Sequence, residues 1–314
     1  MYRAAIESAV IPGLTGQAIQ EIALKFEFNS KDYAEFYQWC NRSAKISSLF
    51  PATLLLHERL RGDPEMVEEI VSFWSGERLA LSRVRQGLKQ VAAESLYKLK
   101  SVRVRDLALQ RFQFAARLIL ATGYRGWILL LDEVELIGRY SLLQRAKSYA
   151  ELARWMGRLE GEQFPGLTTV AAITADFGTA VLEEKGDRFS IREKLELKGT
   201  EELKLLAPRA DAGMRIIRRE GVELGAPDEQ VLNATYMRLK KIHAKAYAWQ
   251  PPEIPSAERS MTRRMRSHVR RWINEWDLRR LYPGVDVSTE EQELRPTYTE
   301  DVEIEEPAET EDEN

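Results

Sequence analysis

The sequence predicts an α/β fold, a parallel sheet set in a chain that is otherwise mostly helical. Trp127, Ile128, Leu129, Leu130 and Leu131 run without a polar break between Gly126 and Asp132. That is the length and composition of a strand buried on both faces of a parallel sheet. A second β-branched-rich run, LTTVAAIT over 167–174, ends in the polar Thr174. Between them, 141–159 carries Leu142, Leu143, Ala146, Tyr149, Leu152, Ala153 and Met156 on one side of a helix. Strand, helix and strand in that order make a βαβ unit with a right-handed crossover.

The elements before the first strand read as helices. An Ala4, Ala5, Ile6, Ala9, Val10 stripe ends at Pro12-Gly13, and 17–28 repeats the pattern with Ile19, Ile22, Ala23 and Phe26. Ser30 is a cap for the next helix, in which Tyr33, Phe36, Tyr37 and Cys40 share a face. Pro51 opens a Leu-rich helix that closes at Gly62-Asp63-Pro64. Helices over 65–74, 77–89 and 106–121 follow, the last with an apolar set (Leu107, Phe112, Ala115, Leu118, Ile119) suited to covering the sheet. These aromatic-rich stripes read as core, and His57 reads as structural because no ligand partner stands at metal spacing.

After the second strand, Leu195-Glu196-Leu197 is a candidate for a further strand. The chain is then helical again, punctuated by Pro208 and Gly213, with a helix over 228–249 and a stiff Pro251-Pro252, Pro255 linker. The stretch SMTRRMRSHVRRWINEWDLRR, directly after Arg259, holds seven arginines (Arg263, Arg264, Arg266, Arg270, Arg271, Arg279, Arg280) against Glu275 and Asp277. Met261, Met265, Val269, Trp272, Ile273 and Trp276 form its apolar stripe, so the helix is amphipathic with a basic outer face.

Composition bounds the classes. With 314 residues, 44% hydrophobic and 30% charged, this is a soluble globular chain of one or two domains. The single Cys40 excludes a disulfide framework and a cysteine zinc site, as in a reducing compartment. Glu7 interrupts the only N-terminal apolar run, and no uncharged run nears the length of a membrane span, so a cytoplasmic protein is expected. The net charge of −3 hides an asymmetry. Removing the twelve acidic residues and Arg295 of 288–314 from the totals of 49 and 46 leaves 37 acidic and 45 basic residues in 1–287. Such a tail is expected to be disordered. It either shields a basic face of the body until a partner displaces it or simply adds solubility.

Asp132-Glu133, at the C-terminal tip of the first strand, stands where open α/β sheets bind ligands. In P-loop NTPases the same place holds the Walker B element, with a magnesium-binding Asp and a water-activating Glu. The plainer alternative is a solvated acidic turn. Thr174, at the tip of the neighbouring strand, matches the polar sensor residue of such sheets, or is a β-branched strand end. Arg188, in DRFSIR, is a candidate arginine finger acting across a subunit interface, or a surface arginine. Arg266, Arg270 and Arg271 are candidates for DNA phosphates, against the alternative of a solvated basic face.

Three stretches carry a family resemblance: FPATLLLHERL over 50–60, GYRGWILLLDEVELIGRYSLLQRAKSYAEL over 123–152, and RRMRSHVRRWINEWDLRRLYP over 263–283. They resemble the P-loop ATP-binding family of BREX phage-exclusion systems, itself similar to AAA+ and origin-recognition ATPases, over 1–287. The resemblance implies a P-loop NTPase (AAA+-like) parallel sheet, a helical or winged-helix C-terminal lid, ATP and Mg²⁺ as cofactors, and other phage-defence proteins as partners. It divides the chain into a core over 1–199, a lid over 200–287 and a tail over 288–314. It also implies Asp132 as magnesium ligand, Glu133 as catalytic base, Thr174 as sensor 1, and Arg263 or Arg264 as a sensor 2 reaching the nucleotide from the lid.

One departure stands against the resemblance. A P-loop needs G-x-x-x-x-G-K-[ST], and the nearest Gly pair, Gly13-Leu14-Thr15-Gly16-Gln17, has no Lys at its end. The sheet is therefore expected to lack its first strand. A mis-assigned start, a gene fragment, or a subunit completed by a neighbouring chain would each give this result. Two functions follow. The first is an ATPase-lineage switch that does not hydrolyse ATP as this chain alone. The second is a non-hydrolysing DNA-binding or scaffold subunit acting through the 259–280 helix, with a homo-oligomer compatible with either.

Overall fold

The computed structural model describes residues 2–43, 45–197, 199–254, 264–284 and 297–304. These described residues divide into two units, one within 2–218 together with 300–304 and one within 219–299. The first unit thus extends beyond the boundary expected at residue 199.

The first unit begins with helices α1 (Tyr2–Glu7), α2 (Ala18–Leu24), α3 (Lys31–Arg42), α4 (Leu49–Arg59), α5 (Pro64–Ser75), α6 (Leu81–Gln90) and α7 (Val104–Ala121). Ser30 caps α3 by accepting from the Tyr33 N–H at 3.1 Å, and Asp63 caps α5 from Met66 at 3.1 Å, with Pro64 in the first turn. Helix α4 is apolar on all sides and accordingly central: every residue from Leu49 to His57 is buried, against α3, α5 and α6. Phe50, Phe73, Trp74 and Phe114 meet there, and Trp74 Nε1 donates to Thr53 Oγ1 at 3.0 Å, so the indole keeps a partner. His57 lies in this core beside Phe26, Phe28 and Trp74. Burial, and then the Arg61 charge, bring its pKa down to about 4.

Strands β1 (Trp127–Leu131) and β2 (Leu167–Ala171) pair in parallel, with Trp127 opposite Leu167, and α8 (Leu142–Trp155) runs between them in sequence. Gly166 leads into β2 with φ +85°, and its carbonyl accepts from Trp127 N at 2.7 Å; a Cβ there would stand 2.7 Å from the Leu120 side chain. One face of the sheet is covered. Phe112 of α7 stacks on Trp127 at 5.5 Å and meets Trp155 edge-on at 4.5 Å.

The other face departs from the expectation of burial on both sides. Ile128 is 65% exposed, Leu130 73% and Val170 53%. A continuous apolar run reports affinity for an interior, but it cannot say which part of the chain supplies the cover, and the described elements cover one side. Strand β2 also stops at Ala171, short of Thr174. Ala172 still donates to Leu131 O at 2.8 Å and accepts from Val134 N at 3.1 Å, so the pairing continues one step into the loops.

Beyond a π-helical turn over Gly178–Glu184 come α9 (Asp187–Leu197) and α10 (Glu201–Arg219). The strand expected at Leu195–Leu197 is the last turn of α9. Asp187, Ile191 and Leu195, four apart, are the buried positions, so the 3.6-residue period governs where a three-residue window suggested alternation. Pro208 and Gly213 lie inside α10 and do not break it. Gly213 is there for proximity: a Cβ on it would fall 1.9 Å from the Tyr149 carbonyl oxygen of α8.

The second unit holds α11 (Glu229–Tyr247), capped by Asp228 from Val231 N at 2.7 Å, and α12 (Met265–Leu281). Tyr236 packs on Trp272 and Trp276 at 5.2 and 5.4 Å. Met261 of the expected stripe lies outside the described residues. Trp276 is fully buried, with His268 and Glu275 beside it on the inner face of α12.

The acidic tail is expected from its composition to be disordered, yet Glu300 and Asp301 bond to Arg145 and Arg139. Composition arguments weigh apolar burial and miss ion pairing of this kind.

Candidate functional site

Asp132 and Glu133 leave the tip of β1 exposed to solvent. Glu133 has φ +56° and ψ +36°, the left-handed region, which costs a non-glycine residue about 1–2 kcal/mol. Its N–H is held by Asp132 Oδ1 at 2.9 Å, and a 3₁₀ segment, Val134–Arg139, follows directly. Backbone strain of this kind persists where surrounding structure enforces it, and it clusters at functional sites. The continued pairing of Ala172 with Leu131 and Val134 puts Thr174 on the same C-terminal edge of the sheet as the acidic pair. Thr174 is half-buried, its carbonyl accepts from Phe177 N at 3.2 Å, and the π-helical turn begins four residues on. Such turns also concentrate at functional sites.

Arg188 is exposed in the first turn of α9, its guanidinium 5.1 Å from the ring of Phe189, itself 66% exposed. Arg263 lies outside the described residues. Arg264, at the N-cap of α12, and Arg266, Arg270 and Arg271 on that helix belong to the second unit. Arg266 and Arg270 are exposed four residues apart, and so on one face; Arg271 is half-buried. The basic face is narrower than the sequence suggested. Arg279 pairs with Glu275 at 2.6 Å, and Arg280 pairs with Asp277 at 3.4 Å and lies 4.1 Å from the Tyr247 ring centre.

A buried charge network went unforeseen. Arg145, 3% exposed, forks onto Asp187, fully buried: Nε donates to both carboxylate oxygens (3.1 and 2.8 Å) and Nη2 to Oδ1 (2.8 Å). Tyr149 donates to Asp187 Oδ2 at 2.8 Å, and Arg145 Nη1 donates to Tyr140 O and Glu300. Burial opposes the Arg145 charge, but the bonds to Asp187 and Glu300 outweigh it and hold its pKa above the usual value. Burial, then the neighbouring Asp187 charge, push the Tyr149 hydroxyl up. The available signal was Arg145 falling on the stripe of Leu142, Tyr149 and Leu152, a charge at a core position that needs a buried partner.

Residues 90–272, more than half of the chain, match the family described as BREX system ATP-binding protein BrxC/D. The chain belongs to this family. The match contains the acidic pair, the whole sheet, the Arg145–Asp187 network and the first half of α12, whereas the 50–60 stretch lies outside it. Neither the curated proteins nor the solved structures include a match to the chain. Family membership places the chain in an ATP-binding, phage-defence lineage. Among the described residues no helix is long and apolar enough to cross a membrane.

Proposed function

We propose that the nucleotide of this BREX family protein sits at the C-terminal edge of β1 and β2, with Asp132 as magnesium ligand and Glu133 as the base that orients and deprotonates the attacking water. The observation that carries the reading is Glu133 held in the left-handed region directly after Asp132, at the tip of a parallel strand. A single exposed carboxylate there fits magnesium, which keeps several waters and takes one or two protein carboxylates beside phosphate oxygens. No group of three His, Cys, Asp or Glu side chains suited to a metal occurs among the described residues. Bound magnesium would neutralise charge on the phosphates. Thr174 stands on the same edge to sense the γ-phosphate. Arg188, exposed beside Phe189, is the candidate to act across an interface between copies.

The phosphate cradle comes from a further segment or subunit carrying G-x-x-x-x-G-K-[ST]. The exposed Ile128, Leu130 and Val170 support this, because parallel sheets are ordinarily covered on both faces. The test is Mg²⁺-dependent ATP turnover by protein isolated from its own host. Glu133→Gln lowers turnover at least about a hundredfold while leaving ATP bound. Turnover unchanged by Glu133→Gln rejects the assignment.

The second reading, DNA binding through α12, rests on Arg266 and Arg270 exposed one turn apart, with Arg271 beside them. It needs no hydrolysis and is indifferent to Glu133.

A further inference from the structure

The turn after Glu133 ends in a cluster of cations that the nucleotide reading does not use. Arg139 binds the Asp301 carboxylate through Nη2, and its carbonyl accepts from Asp301 N at 2.9 Å. Arg145 Nη1 reaches Glu300 at 2.8 Å from a side chain already locked by buried Asp187. Lys185 Nζ donates to Gly138 O at 2.7 Å on the same turn. The hydrogen bond from Arg145, against an opposing effect of burial and with smaller help from the Lys185 and Lys194 charges, holds the Glu300 carboxyl below its usual range. Lys194 also lines an apolar groove of about 560 Å³ with Leu142, Leu143, Leu195 and Leu197. The chain's own Thr-Tyr-Thr-Glu-Asp-Val-Glu-Ile segment, 297–304, therefore meets two pre-set arginines and one backbone carbonyl, with apolar surface close by.

We propose that Arg139 and Arg145 form a binding site for an acidic peptide, occupied intramolecularly by Glu300-Asp301. Backbone pairing with Arg139 fixes the register, and the two guanidiniums read successive carboxylates. Asp187 is the positioning residue: its fork with Arg145 presents the remaining Nη1 outward. The occupant straps the far end of the segment that begins at Glu133, so an acidic segment of a partner would compete with it. The site does not depend on where the nucleotide binds.

The test uses the full chain and a fluorescent peptide of sequence TYTEDVEI, with binding read by anisotropy. A tethered tail acts at an effective concentration of about millimolar, so it suppresses the apparent affinity of the wild-type chain for free peptide by about tenfold or more. Glu300→Lys with Asp301→Lys vacates the site and restores binding. Adding Arg139→Glu abolishes it again; Arg139 is preferred to Arg145 because its loss leaves the buried network intact. Equal peptide binding by wild type and the Glu300/Asp301 variant overturns the occupancy, as does binding indifferent to Arg139→Glu. A single-stranded oligonucleotide that binds the vacated site more tightly than the peptide overturns the assignment of the ligand.

Discussion

Asp187→Asn is the substitution whose cost the structure sets most clearly. Asp187 is fully buried and takes three hydrogen bonds from Arg145 and one from Tyr149. Asn keeps the shape, but it removes the counter-charge and turns an NH₂ group toward donors. Removing one partner of a buried ion pair costs about 3–5 kcal/mol. Glu300 still reaches Arg145 at 2.8 Å from a half-exposed position and offsets part of this, so the lower end, about 3 kcal/mol, is expected. For a unit of this size each kcal/mol moves the melting temperature by about 2–4 °C, giving a fall of about 6–12 °C. Thermal unfolding followed by circular dichroism measures it. Combining the change with Arg145→Met removes the uncompensated cation, so the double variant loses less than the two single losses together. A fall below about 3 °C for Asp187→Asn, or strict additivity in the pair, would refute the reasoning.

Three further outcomes are expected. Gly213→Ala would stabilise an exposed helix by about 1 kcal/mol, but here the methyl falls 1.9 Å from Tyr149 O, so the urea midpoint drops by the equivalent of about 1–3 kcal/mol; an unchanged or higher midpoint rejects the close approach. His57, with its pKa lowered to about 4 in the fold against about 6.5 unfolded, binds its proton more readily in the unfolded chain. Its contribution is complete above pH 6.5 and is lost as pH falls toward 4, about 3 kcal/mol in all. His57→Phe flattens that slope, and an identical pH dependence in both proteins contradicts the assignment. Arg266→Glu with Arg270→Glu reduces the salt dependence of duplex DNA binding by about 0.9 for each phosphate no longer neutralised; affinity indifferent to both substitutions removes α12 from DNA recognition.

The elements that were legible in the sequence are those whose signal is local. The WILLL run, the cap at Ser30, the Gly62-Asp63-Pro64 break and the Leu-rich α4 declare themselves because periodicity and turn chemistry act within a few residues. What was misread depends on distant partners. The exposed side of β1 and β2 could not be told from the covered side, because a continuous apolar run carries no label for its neighbour. Gly213 suggested a break where it permits close approach of α8 and α10. Arg279 and Arg280 were counted as basic surface, although Glu275 and Asp277 of the same helix pair with them. The tail's grip on Arg139 and Arg145 joins residues more than 150 apart in sequence, beyond any window. For the candidate site, sequence supplied Asp132-Glu133 and Thr174, and the fold added the left-handed Glu133 and the π-helical turn.

The most direct test of the central claim is photo-crosslinking of an azido-ATP analogue to the protein isolated from its own host, followed by peptide mapping. Label on peptides spanning 132–140 or 172–184, competed by ATP and reduced by Asp132→Asn, is the predicted result. Competable label confined to other peptides would contradict a nucleotide site at the C-terminal edge of β1 and β2.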